Sequence, residues 1–156
     1  MLAHLVLELG YKIFTTSQEL LFINDFIQKY EVHDEVRLRA VVENFKNSVI
    51  FEEISKADMV TFEQEYNFFD KEKNYNQLRI IDLLYFYDGK FNIIDFKSNS
   101  LSSRTKDEII KEHNYQEQLD GYYEYVAKIY GAENINRCEI LWLEDGSLSD
   151  MRRGAK

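Results

Sequence analysis

Apolar residues recur at helical spacing along the first third of the chain. Leu20, Leu21, Ile23, Phe26 and Ile27 form one stripe, and Thr16 and Glu19 stand before it at capping-box spacing. Residues 32–34 read as a break. Asp34 then caps a second predicted helix bearing Val36, Leu38, Val41, Val42 and Phe45, and residues 48–56 either extend it or form a short third helix. After that the period changes. Residues 60–69, 78–87 and 91–98 are rich in aromatic and β-branched side chains and predict three strands. Asp88-Gly89, between the last two, is the chemistry of a tight hairpin turn. A polar loop over 98–106 leads to a second capping box, Thr105 with Glu108. It opens a long helix predicted to run to Tyr130, with Gly131 as C-cap. Residues 138–143 predict a last buried strand, and the polar tail from Glu144 is expected to fray. The order predicts a single α/β domain over 1–156, a mixed β-sheet flanked by helices with a helical N-terminal third.

Composition narrows the function. The chain has 156 residues, 45% hydrophobic and 30% charged, enough for one domain with a sizeable core. A net charge of −9 argues against a protein that coats nucleic acid by bulk attraction. It leaves room for an enzyme that gathers carboxylates around a cation. One cysteine, Cys138, rules out an internal disulfide framework and a four-cysteine metal site, so no iron–sulfur cluster is expected. That fits a reducing, cytoplasmic setting. No apolar run is long enough to predict a membrane span.

The chemistry concentrates in the predicted hairpin. Asp95 and Lys97 alternate with Ile94 and Phe96, so the charged pair shares one strand face and the apolar pair enters a core. Asp82 sits on the preceding strand, where Ile81, Leu83 and Tyr85 alternate with Ile80, Asp82 and Leu84. An acid within so apolar a strand is costly to bury unless it is paired or bound to a cation. The hairpin brings Asp82 toward Asp95, and two hard oxygen ligands suit magnesium, with manganese as a substitute. The lysine is placed to orient water or to stabilise charge on phosphorus oxygens. The plain alternative is a buried Asp–Lys salt bridge without catalysis.

Arg79-Ile80-Ile81-Asp82, the Asp88-Gly89 turn and Ile93-Ile94-Asp95-Phe96-Lys97-Ser98-Asn99 resemble the nuclease motifs of the RecB/AddA family. That family belongs to the PD-(D/E)XK nuclease superfamily. Tyr115, Gln118, Leu119 and Tyr122 resemble its Tyr-x-x-Gln-Leu-x-x-Tyr helix, and His4 with Glu8 resembles its first motif. The resemblance implies a restriction-endonuclease-like core with Asp82 and Asp95 as metal ligands and Lys97 as the catalytic lysine. It implies His4 as a further ligand and Gln118 and Tyr122 at the border of the site. A glutamate on the strand before Asp82 also belongs to the pattern; Glu65 is the best match and Glu63, on the same predicted face, its rival. Two departures stand out. Arg79 replaces the usual glycine and either crowds the backbone or reaches a phosphate, and Phe96 replaces the usual tyrosine.

The implied activity is hydrolysis of DNA phosphodiester bonds, exonucleolytic rather than endonucleolytic, on a single strand delivered by a helicase. Met1 falls inside the first motif, so the chain resembles the C-terminal piece of a longer helicase-nuclease whose helicase region it does not contain. A second subunit of such a complex is a further expected partner. A domain that only guides DNA, or one that only docks a subunit, remains the competing expectation. For His4, and for the tyrosines of the last helix, core packing competes with a role in the site. Arg104, Lys106 and Lys111 are candidates for guiding a phosphate backbone or for plain surface solvation.

Overall fold

The computed structural model describes residues 2–152. Four helices come first: α1 (Leu2–Gly10), α2 (Glu19–Lys29), α3 (Glu35–Lys46) and α4 (Val49–Ile54). Asp34 caps α3, its carboxylate accepting from the Arg37 N–H at 3.0 Å. Ser48 restarts the chain as α4 by accepting from the Phe51 N–H, so 48–56 contributes a separate short helix. The box expected at Thr16 does not form. The Thr16 hydroxyl donates back to the Ile13 carbonyl, and the Glu19 carboxylate accepts from the Thr15 N–H at 2.9 Å. Thr15 is left-handed, with φ 68°, and this shifts the turn's donors by one residue.

The strands are β1 (Met59–Asp70), β2 (Tyr75–Tyr87), β3 (Lys90–Lys97), β4 (Ile135–Trp142) and β5 (Leu148–Asp150), in the order β1-β2-β3-β4-β5. β1, β2 and β3 form an antiparallel meander, β4 runs parallel to β3, and β5 returns antiparallel to β4. Asp88 and Gly89 both have positive φ, as a two-residue hairpin turn of this hand requires. Two helices, α5 (Lys106–Glu112) and α6 (Tyr115–Tyr130), make the crossover to β4. The Thr105–Glu108 capping box is present. The single long helix expected there is broken at Asn114, which takes a left-handed conformation (φ 54°, ψ 42°), one that Asn adopts more readily than most residues. Gly131 ends α6 at φ 92°.

The tail from Glu144 was expected to fray; instead Gly146, at φ 77°, turns the chain back into β5. Met151 is buried, and its N–H donates to the Cys138 carbonyl at 2.9 Å. Backbone pairing with β4 outweighs the segment's polarity. Met1 of the first motif and residues 153–156 of the tail lie outside the described residues.

Helices on both sides of the sheet make two cores. Val6, Leu7, Phe14, Val42, Phe45 and Ile50 pack with Leu83, Ile94 and Phe96 on one face. Ile109, Leu119, Tyr122 and Val126 pack with Leu84, Ile93, Ile140 and Trp142 on the other. Cys138 belongs to this second core, as expected. Strand alternation put Ile81 on one face with Leu83 and Tyr85, but Ile81 belongs to the second core and the other two to the first. β1 does the same, Phe62 packing on one core and Tyr66 on the other. Both strands turn over at Glu63, which is left-handed at φ 53° and lies between the pairs Phe62↔Leu83 and Gln64↔Ile81, opposite Asp82.

Buried charge is fully paired at one place. The Glu53 carboxylate accepts from Tyr85 Oη (2.7 Å), Arg137 Nε (3.1 Å) and Arg137 Nη2 (2.8 Å), and Arg137 Nη1 donates to Glu139 at 2.7 Å. Arg137→Ala leaves two carboxylates facing each other. It is expected to lower stability by about 2–3 kcal/mol, somewhat below a fully buried pair because the arginine keeps some solvent contact. Urea unfolding of both proteins measures this, and an unchanged midpoint would show the cluster to be incidental.

Candidate active site

The β2–β3 register sets the site. Leu83 pairs with Ile94, so the next residues along, Asp82 and Asp95, face each other across the hairpin. Asp82 Oδ2 accepts from the Phe96 N–H at 2.8 Å, taking over the ladder position where regular pairing ends. β4 lies on the other side of β3, with Ile140 beside Asp95, so Asp95 is nearly sealed at 1% exposure. Asp82 keeps a partial opening to solvent.

Lys97 lies on the same strand face as Asp95, its Nζ 2.8 Å from Asp95 Oδ2. That approach forms a buried ion pair, and Asp95 Oδ2 has no hydrogen-bond partner beyond it. The same ammonium donates to Gln118 Oε1 at 2.8 Å and sits 4.0 Å from the centre of the Tyr115 ring. Gln118 Nε2 donates to Tyr122 Oη at 2.8 Å. Tyr115 Oη donates to Asn99 Oδ1 at 3.3 Å. The break at Asn114 makes this possible, because it starts α6 at Tyr115 and presents residues 115, 118 and 122 on one helical face beside β3.

His4 approaches from α1. Its Nδ1 is 3.7 Å from Asp82 Oδ1 and its ring meets Phe96 edge-on at 5.6 Å. The imidazole thus lies beside the carboxylates as well as against the core. Burial, the largest influence, lowers the His4 pKa, with Asp95 opposing, so the ring is neutral at pH 7 and able to act as a ligand.

Glu65 and Glu63 are placed differently. Glu65 is exposed on β1 and pairs with Ile80. Glu63 stands opposite Asp82; burial first, and then the Glu63 charge, raises the Glu8 pKa, and the same charge adds the smallest contribution to the burial-driven rise of Asp82. Nothing in the alternation of β1 distinguished the two, since the difference comes from the left-handed turn-over at Glu63 itself. Tyr115 was expected at the helix motif, but its place over the Lys97 ammonium had no signal in the sequence.

Burial first, and then the Asp82 charge, pushes the Asp95 carboxyl up to about 7, against the pull of Lys97. Burial likewise raises Asp82, opposed by the Phe96 N–H. Two like charges this close cannot both ionise without added positive charge. Burial also raises Tyr122, helped by both aspartates, so its hydroxyl stays protonated and able to donate.

The donor set fits a hard divalent cation: two facing carboxylates, one with an unsatisfied buried oxygen, and a neutral imidazole beside them. Among the described residues, no three His, Cys, Asp or Glu side chains are already gathered into a metal-holding group. Neither a protein-family model nor a curated protein matches this chain. Among the described residues, no helix is long and apolar enough to cross a membrane.

The pKa shifts set a pH dependence for the metal-free protein. Both aspartates have folded pKa values above that of the unfolded chain, so the folded state holds protons that the unfolded state has released. Stability is then expected to fall as pH rises from about 4 through about 7, by at most about 1.4 kcal/mol per pH unit for each proton. Chemical unfolding in a chelator at stepped pH measures the slope. Asp95→Asn should flatten it, and an identical slope in that variant would assign the proton elsewhere.

Proposed function

We propose that this domain is a divalent-metal-dependent nuclease of the RecB/AddA type, with a PD-(D/E)XK core, that hydrolyses phosphodiester bonds of DNA. The observation that carries the reading is the convergence of Asp82, Asp95 and Lys97 at one point of the β2–β3 hairpin, with Gln118 and Tyr122 arriving from α6. The motif order in the chain supports it, and so does a meander followed by a helical crossover to a parallel strand.

Asp82 and Asp95 would hold the cation, with His4 as a supplementary ligand. Magnesium, or manganese in its place, supplies Lewis-acid charge at the reacting phosphate. Lys97 keeps an ammonium at the same point, held by Asp95, Gln118 and the Tyr115 ring, where negative charge on phosphoryl oxygens would be stabilised. A side chain restrained from three sides needs little reorganisation in the transition state. The Tyr122 hydroxyl accepts from Gln118 and keeps its own proton for donation on the same side. A single-stranded substrate, exonucleolytic action and service as the nuclease module of a helicase-nuclease in double-strand-break processing all belong to this proposal.

Lys97→Ala should lower cleavage by about 10²–10³-fold in a protein that still folds and unfolds cooperatively. Raising magnesium or manganese should not restore it. Asp95→Ala should fail through lost cation affinity and recover partly at high metal. A cleavage time course on labelled single-stranded DNA across a metal titration separates the two. Near-normal cutting by folded Lys97→Ala would make the Asp95–Lys97 pair a structural salt bridge.

A further inference from the structure

Beside the proposed site runs a groove of about 550 Å³ between β2 and the start of α6, lined by Leu78, Arg79, Ile80, His113, Asn114, Glu117, Gln118 and Tyr122. Gln118 accepts from the Lys97 ammonium and donates to Tyr122, so one wall of the groove is shared with the proposed site. Glu117 is the acid of the groove, and its carboxylate accepts from the Asn114 side chain.

Arg79 is its cation. The guanidinium lies 4.0 Å from the centre of the Phe68 ring, a stacking that restrains its plane without consuming its N–H donors, of which Nη1 lies toward Gly121 and Tyr66. Among the described residues no carboxylate forms an ion pair with it. Of the other basic candidates, Lys106 pairs with Asp145 at 2.7 Å and Arg104 with Glu112, while Lys111 is exposed on α5 and does not line this groove.

Gly121 makes room for this arrangement. It lies inside α6, where glycine is otherwise unfavourable, and a Cβ there would stand 2.8 Å from Arg79 Nη1 and 3.6 Å from Tyr66 Oη. The Tyr66 hydroxyl is buried without an aligned hydrogen-bond partner at that same spot. Of the two roles open to a residue in place of the motif's glycine, crowding is relieved by Gly121, and the guanidinium, beside the Tyr66 hydroxyl, is left at the groove without a carboxylate partner.

We propose that Arg79 binds a backbone phosphate of a single-stranded nucleic acid, one that flanks the scissile bond, as the strand lies in this groove. This rests on the nuclease reading. On a chain of net charge −9, an anionic strand needs such a local cation to approach two carboxylates. Planar, forked donors match phosphate oxygens, and a contact to the backbone carries no base preference.

The test uses the full chain, with cleavage kinetics in magnesium and anisotropy of a labelled oligodeoxynucleotide in calcium at several salt concentrations. Arg79→Ala is expected to raise KM and Kd about tenfold, to leave kcat within about twofold, and to reduce the salt slope of binding by about 0.7. Arg79→Lys should bind with intermediate affinity and keep the wild-type slope, which separates charge from packing on Phe68. Gly121→Ala removes no charge and favours the helix, yet should weaken binding by displacing the guanidinium. Wild-type affinity and slope in folded Arg79→Ala, with cutting intact, would overturn the phosphate contact alone. A loss confined to kcat would overturn it too. A wild-type chain that neither cuts nor binds the oligonucleotide removes the nuclease reading and this inference with it.

Discussion

Two aspartates face each other across the end of a hairpin, in a place that water barely reaches. Their mutual repulsion, added to the cost of burial, is the constraint on which the rest of the site depends. An N–H from Phe96 to Asp82 and the Lys97 ammonium beside Asp95 relieve it in part. Asp95 Oδ2 has no hydrogen-bond partner beyond that ion pair. A cation would add the positive charge that the proposed nuclease chemistry requires there.

The other buried charge cluster makes the contrast plain. Glu53, Arg137, Glu139 and Tyr85 satisfy one another through short, aligned hydrogen bonds. Nothing is left over there for a ligand. Both clusters lie on the same sheet, yet at Asp82 and Asp95 two carboxylates meet with one ammonium and one N–H between them. Low local dielectric amplifies the difference, strengthening paired charges and penalising unpaired ones.

Position depends on backbone details that act at a distance. The left-handed pair Asp88 and Gly89 fixes the register that sets Asp82 against Asp95. A slip of one residue would send Asp95 and Lys97 to the face of Ile94 and Phe96. The left-handed Asn114 ends one helix and starts another beside Lys97. The left-handed Glu63 turns over the two-stranded ribbon, so that Tyr66 and Ile81 pack under α6 while Phe62 and Leu83 pack under the N-terminal helices.

Local chemistry was legible in the amino-acid order. Asp34 and Thr105 cap helices, Asp88-Gly89 makes a hairpin, Gly131 ends α6, and Asp95 and Lys97 share a face, because each depends on neighbours within a few residues. The facing of Asp82 and Asp95 followed from the same turn. Other features were decided only by tertiary structure. Thr15 displaced the expected box at Thr16, β5 formed from a tail that is polar in itself, and Ile81 joined the second core against its alternation. Tyr115 over Lys97, and Arg79 in the space that Gly121 leaves, join residues far apart in the chain. Each of these outcomes depends on which distant surface is near enough to pair with or pack against, and side-chain period carries no record of that.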